Sequence, residues 1–270
     1  SLFCAVVICV TASGASAGAD NRVLRPPDYL NLVRTYADAM IRDGRDVYGR
    51  EHSPLFAAAL DRKTMKLGSA RQFGTIVGVR ESDRSLGGAN PQVDTALYRI
   101  LYALAKITGE PGYAVEADKA LGYFFLHGQS PATGLMAWGE HLYWDFATES
   151  CKGVDRSHEV GGEWPFWERC YRLAPDACWR FAIGQWDHQI ADKVTGDFSR
   201  HAQYSKHGPQ KGSDFPRYAG QLIFNWADAY ARPDNARRER RGELIEAITC
   251  LVCRMEDNMR QTPTGYLPAL

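Results

Sequence analysis

Two neighbouring segments, VDTALYRILYALAKITG (93–109) and GYAVEADKALGYFFLHGQ (112–129), repeat apolar residues every three or four positions and run out at a glycine. That spacing lines apolar side chains along one face of an α-helix, and the glycines supply stop signals. The same pattern returns in PDYLNLVRTYADAMI (27–41), where Asp28 is placed to cap the start. It returns again in EWPFWERCYRLA (163–174), PDACWRFAIGQWDHQIAD (175–192), RYAGQLIFNWADAYARP (217–233) and RRGELIEAITCLVCRMEDN (240–258). Strand–helix–strand alternation, a glycine-rich phosphate loop and a strict repeat are all missing from the pattern. The expected fold class is all-α. Antiparallel helical hairpins, 93–109 with 112–129 and 163–174 with 175–192, would close into an α/α barrel, a toroid whose loops line a cleft. Bundle and solenoid packings share this pattern.

The 270 residues are 45% hydrophobic and 11% aromatic, enough for a packed core. Lys plus Arg and Asp plus Glu both number 32, so the formal net charge is zero. A chain without a global field does not collect polyanions, which argues against nucleic acid as a partner. An anionic substrate must instead be held by local cations. The opening stretch SLFCAVVICVTASGASAGAD is apolar and then turns to small residues, which reads as a signal peptide over 1–19, cut after Ala17 or Ala19. Residues 20–270 would form the mature domain, secreted or periplasmic and without stable membrane insertion. Five cysteines then remain: Cys151, Cys170, Cys178, Cys250 and Cys253. Their number is odd and their spacing irregular, so no disulfide framework can be read from them. Cys250 and Cys253 fall within a helical pattern and are expected to be buried helix cysteines.

Three loop-flanked stretches carry the chemistry: AWGEHLYWD (137–145), SHEVGGEWPFWE (157–168) and GDFSRHAQY (196–204). His141, Glu159 and His201 each sit beside glycine, polar residues or a helix boundary. Two imidazoles and a carboxylate form a normal ligand set for a borderline divalent cation. HEVGG is not the zinc-protease motif, because position 162 is Gly and not His. Seven histidines allow many triples, so the residues alone leave a structural role open for each.

Taken in order, WG-x-H, HE and SRH-x-x-Y resemble the periplasmic pectate lyases of polysaccharide lyase family two, the pectate disaccharide-lyases. GRDVYGREHSPLFA (44–57) is similar to their GRDRYG…TPLFA region, and GLMAWGEH resembles their GLLQWGGH. The likeness runs from about Tyr36 to Tyr204. It implies an α/α barrel, a metal site of His141, Glu159 and His201, and Arg200 as the Brønsted base. The implied metal is a transition ion such as manganese, and the implied substrate is pectate or an oligogalacturonate. Glu140 stands where the family has Gly, and HAQY stands where it has HGKY. The family's chains are longer, so the expected barrel is incomplete at its C-terminal side.

Read from chemistry alone, Arg200 suits a carboxylate clamp, since a guanidinium binds carboxylates through two parallel donors and stays protonated. The resemblance implies the base instead. Trp138, Tyr143, Trp144 and Tyr204 are candidates for stacking on sugar rings. Lys206, Lys211 and Arg217, with His207, form a basic loop suited to neighbouring uronates. His188 is a candidate for a supporting role behind the metal. A glycoside hydrolase would need two carboxylates roughly 5–10 Å apart, and Glu140, Asp145, Glu159, Asp187 and Asp197 are available. A non-catalytic polysaccharide-binding toroid is the third reading.

Overall fold

The computed structural model describes residues 25–68, 85–161, 163–206, 208 and 216–267. The expected signal peptide, and also Lys211 and His207, lie outside them. Seven α-helices occur among the described residues: α1 (Pro26–Asp43), α2 (Thr95–Thr108), α3 (Gly112–His127), α4 (Trp167–Leu173), α5 (Pro175–His188), α6 (Pro216–Ala231) and α7 (Arg241–Arg260). Helices packing on one another in chain order are α1 on α2, then α2 on α3, and so on to α7. The Asp28 carboxylate accepts from the backbone N–H of Arg25 at 2.9 Å, so it closes the first turn of α1 as its position predicts. Gly109 ends α2 in the left-handed conformation, with φ 75°.

Two helix boundaries differ from expectation. The segment predicted from 163 becomes helical only at Trp167. Pro165 pushes Trp164 out of the α region, and it also has no N–H to continue a ladder. The segment predicted to 192 ends at His188, because residues 190–192 leave the helix to pair as a strand.

The all-α expectation needs a larger amendment. Short strands of two or three residues stitch the loops together: β1 (Leu60–Asp61), β2 (Lys66–Leu67), β3 (Gly88–Ala89), β4 (Tyr143–Asp145), β5 (Ser150–Lys152), β6 (Ser157–Glu159), β7 (Ile190–Asp192), β8 (Asp197–Phe198) and β9 (His201–Gln203). They pair as β1–β2, β3–β4–β5, β6–β9 and β7–β8, all antiparallel. The structure is therefore helix-rich with small β elements, and two of those elements, β6 and β9, carry Glu159 and His201 of the candidate site.

Beneath them lies an aromatic core. Trp138, 2% exposed, meets Phe124, Phe125, Trp164 and Phe181 at ring separations of 5.1–6.2 Å. Such pairs add about 0.5–1.5 kcal/mol each beyond the area they bury. Buried amides tie the helices below: Trp167 donates to Asn225 at 3.0 Å, and Asn225 donates to Gln185 at 3.2 Å, linking α4, α6 and α5. The GRDVYGREHSPLFA stretch is also structural. Buried Asp46 accepts from the backbone N–H groups of Tyr48 and Ser53 and from the Ser53 hydroxyl. No helix among the described residues is long and apolar enough to cross a membrane.

Candidate metal centre

Residues 157–159 and 201–203 form an antiparallel pair in which Glu159 lies directly opposite His201, and His158 opposite Ala202. Side chains alternate faces along a strand, and directly opposed residues share one. Glu159 and His201 therefore emerge together. His158 points the other way, into the aromatic core, where its Nδ1 donates to the Met136 carbonyl at 2.8 Å. Burial pushes the His158 pKa down to about 4, more than the Met136 bond raises it. At neutral pH this imidazole is an uncharged structural group.

His141 arrives on a separate turn. Buried Asn90 donates to the carbonyls of Gly139 (2.7 Å) and Leu142 (3.2 Å), which clamps the turn on both sides of His141. Two glycines permit the approach. Gly139 has φ 95°, and a Cβ there would stand 3.1 Å from Cβ of Glu159. A Cβ on Gly153, at φ 74°, would lie 2.1 Å from the His141 carbonyl oxygen. Only glycine adopts these conformations without strain.

One ligand atom each from His141, Glu159 and His201 lies within 4.8 Å of the others. The two imidazole rings are 6.2 Å apart and inclined by 25°. Ligands bound to one ion at about 2.0–2.2 Å sit somewhat closer together than this, so shifts of about 1–2 Å would complete a shell. The donors fit such an ion in a second way. Glu159 is 5% exposed, and its Oε2 is buried with no hydrogen-bond partner among the described residues. A buried carboxylate oxygen left unpaired is costly, and a cation is one means of relieving it.

Burial dominates the electrostatics of the Glu159 and His201 side chains. Burial raises the Glu159 carboxyl, with help from Glu140, and Arg200 pulls it down without offsetting them. Burial lowers the His201 imidazole, and Arg200 and His141 lower it further. A neutral imidazole is the form that ligates metal.

Arg200 lies next to this shell. Its carbonyl accepts from the Val160 N–H at 2.8 Å and from the Gln189 side chain at 3.2 Å. Its guanidinium is 3.0 Å from Glu159 and donates to the Tyr218 hydroxyl at 3.3 Å. Burial pulls the Arg200 pKa down, but Tyr218 and Glu159 outweigh it and leave it raised. Asn90, Gln189 and Tyr218 were missed in the sequence. None sits in a recognisable motif, and all three act through distant partners.

The stacking candidates divide. Trp138, Trp144 and Tyr204 are 2%, 7% and 5% exposed, so they are core residues and not open platforms for sugar. Trp144 abuts Tyr123 and His127, and the Tyr204 hydroxyl donates to the Gly128 carbonyl. Tyr143 remains half-buried, its hydroxyl 3.5 Å from Asp145. Lys206 is exposed, and Arg217 rests on the Tyr218 ring at 4.5 Å. His188 is buried at the end of α5. The five cysteines among the described residues are free thiols. Cys250 and Cys253 lie on α7 as expected, but half-buried and exposed respectively, because that helix turns this edge partly outward.

The sequence model of a family described as periplasmic pectate lyase matches residues 53–225, more than half of the chain. Over 111 residues, 40% of the chain, the sequence is 25% identical to the pectate disaccharide-lyase of Dickeya dadantii (strain 3937). The match covers 20% of that protein, so the chain spans only about a fifth of its length in alignment.

Proposed function

The chain belongs to the periplasmic pectate lyase family, and from that premise we propose that it is a metal-dependent polysaccharide lyase cleaving pectate or a related uronic-acid polymer by β-elimination. The observation that carries the reading is the convergence of His141, Glu159 and His201 with Arg200 beside them. In this reading the helices belong to an α/α barrel, and the protein acts in the periplasm or outside the cell.

A divalent cation held by His141, Glu159 and His201, manganese being the expected ion, would supply Lewis-acid stabilisation of the charge that builds on the uronate carboxylate. Arg200, in its neutral form, takes the proton from C5 of the sugar. The C–H electron pair becomes the C4–C5 double bond, the C4–O bond breaks, and the departing oxygen is protonated from solvent. Because His201 follows Arg200 directly, the base is tethered to the shell. Asn90 and Gln189 hold the backbone on either side and keep these groups from drifting. Tyr143, Lys206, Lys211 and Arg217 remain candidates for gripping neighbouring sugar units.

The hydrolase reading is less favoured. Asp145 accepts from the Thr148 N–H and hydroxyl, Asp187 pairs with Lys193 and Arg240, and Asp197 pairs with Arg254. Those carboxylates have structural work already. The deciding assay is turnover on polygalacturonate, with chelator and then with added Mn²⁺. The lyase reading requires a near-ultraviolet-absorbing unsaturated product that disappears with chelator. Reducing ends without that absorbance would indicate a hydrolase, and binding without turnover would indicate a non-catalytic protein.

A further inference from the structure

One nitrogen of Arg200, Nη1, meets two partners, one in an ion pair and one in a hydrogen bond. It lies 3.0 Å from Glu159 Oε1 and donates to Tyr218 Oη at 3.3 Å. Glu159 Oε1 is also 3.7 Å from Nε2 of His201. The guanidinium therefore engages Oε1 of a carboxylate whose other oxygen, Oε2, has no hydrogen-bond partner among the described residues, so Arg200 and a cation on Oε2 would meet on one charged group. Tyr218 is 6% exposed and lies on the first turn of α6. Arg217 also donates to the same hydroxyl. A guanidinium has no acceptor, so the phenol oxygen must accept from both arginines.

A divalent cation bound to Glu159 would bring two like charges within a few ångströms of Arg200. Their repulsion is strong at that separation in a partly buried site. The guanidinium would then lose its carboxylate partner and need another acceptor close by. The Tyr218 oxygen is already in contact. We propose that Arg200 and the cation compete for the Glu159 carboxylate, and that Tyr218 is the positioning residue that holds Arg200 at the site once the cation has taken Glu159. The inference rests on the metal-centre reading above and adds a loading order to it.

The test is Mn²⁺ titration of the full chain by calorimetry for wild type, Tyr218→Phe, Arg200→Gln and the double variant. Arg200→Gln removes the competitor, so Mn²⁺ should bind at least about threefold more tightly. Tyr218→Phe leaves Arg200 with Glu159 as its acceptor, so Mn²⁺ should bind about three- to tenfold more weakly. In the Arg200→Gln background the Tyr218 change should fall below about twofold, since the two act as a coupled pair. With saturating Mn²⁺ and polygalacturonate, Tyr218→Phe should lower kcat while leaving KM nearly unchanged. Equal Tyr218→Phe effects in both backgrounds would mean a merely structural role and would overturn the inference. Unchanged or weaker binding by Arg200→Gln would overturn it independently, even if Tyr218→Phe failed to fold. Normal Mn²⁺ binding with no Tyr218 effect removes this inference alone. A folded wild type that binds no Mn²⁺ removes the metal-centre reading, and this inference with it.

Discussion

Glu159 and His201 face each other across the β6–β9 pair, one residue from each strand, with Arg200 immediately before His201 and bonded through its carbonyl to Val160. A one-residue slip of this register would send Glu159 to the core face and bring His158 out. The pairing therefore decides which of two adjacent ionisable residues, His158 or Glu159, reaches the site.

Glu159→Gln keeps the size of the side chain and removes its charge. Mn²⁺ affinity should fall by about 10²-fold or more, as loss of a primary ligand should cost at least the 10–100-fold typical of the groups supporting it. Calorimetric titration checks this. Affinity within about threefold of wild type would remove Glu159 from the shell.

Arg200→Lys should lower kcat by at least about 10²-fold with KM changed much less, because both geometry and proton affinity differ. Activity should rise toward alkaline pH, since the neutral guanidine is the reactive form. A variant that turns over near the wild-type rate but saturates poorly would make Arg200 a carboxylate clamp.

His158 gives a pH signature in stability. Its folded pKa of about 4 lies below the ordinary imidazole value near 6.5. Between those values the unfolded chain binds more protons, so stability is fully present above about pH 6.5 and is lost as pH falls toward 4. The loss attributable to this group is about 3 kcal/mol. Urea unfolding at pH 7 and pH 4.5 should show it in wild type and a flatter dependence in His158→Gln. Parallel curves would mean that His158 does not titrate this way.

Gly139→Ala meets two obstacles, a positive φ and Cβ of Glu159 at 3.1 Å. A cost of about 1–3 kcal/mol in stability is expected, together with weaker Mn²⁺ binding as the His141 turn is pushed away. An unchanged denaturation midpoint would show that this turn yields easily.

Trp138→Ala should destabilise the protein by about 3–5 kcal/mol, as large aromatic deletions in a core do. Tyr143→Ala, at a half-buried position, should cost less stability, about 0.5–3 kcal/mol, and raise KM for polygalacturonate. The opposite pattern, a stable Trp138 variant with poor substrate binding, would restore Trp138 as a sugar platform.

The helices were legible in the sequence because the period of apolar residues, the closing glycines and the prolines are local signals. Segments such as 93–109 and 112–129 could be bounded to within a residue or two without any tertiary information. His141, Glu159, Arg200 and His201 were also legible as candidates, since their motifs resemble a family's, and the structure brings ligand atoms of the two histidines and Glu159 within 4.8 Å of one another. What the sequence could not show was which face each residue presents. Trp138 and His141 are three residues apart in one glycine-flanked stretch, yet one is core and the other lies at the site. That division depends on Asn90 clamping the 139–142 turn and on the register that opposes Glu159 to His201. Both link residues some 40–50 positions apart, one through a side-chain amide and the other through strands too short to announce themselves by alternation. Tyr218, similarly, reaches Arg200 only because α6 begins beside β9 in space. Local propensity specified the helices, and long-range hydrogen bonding and register built the site.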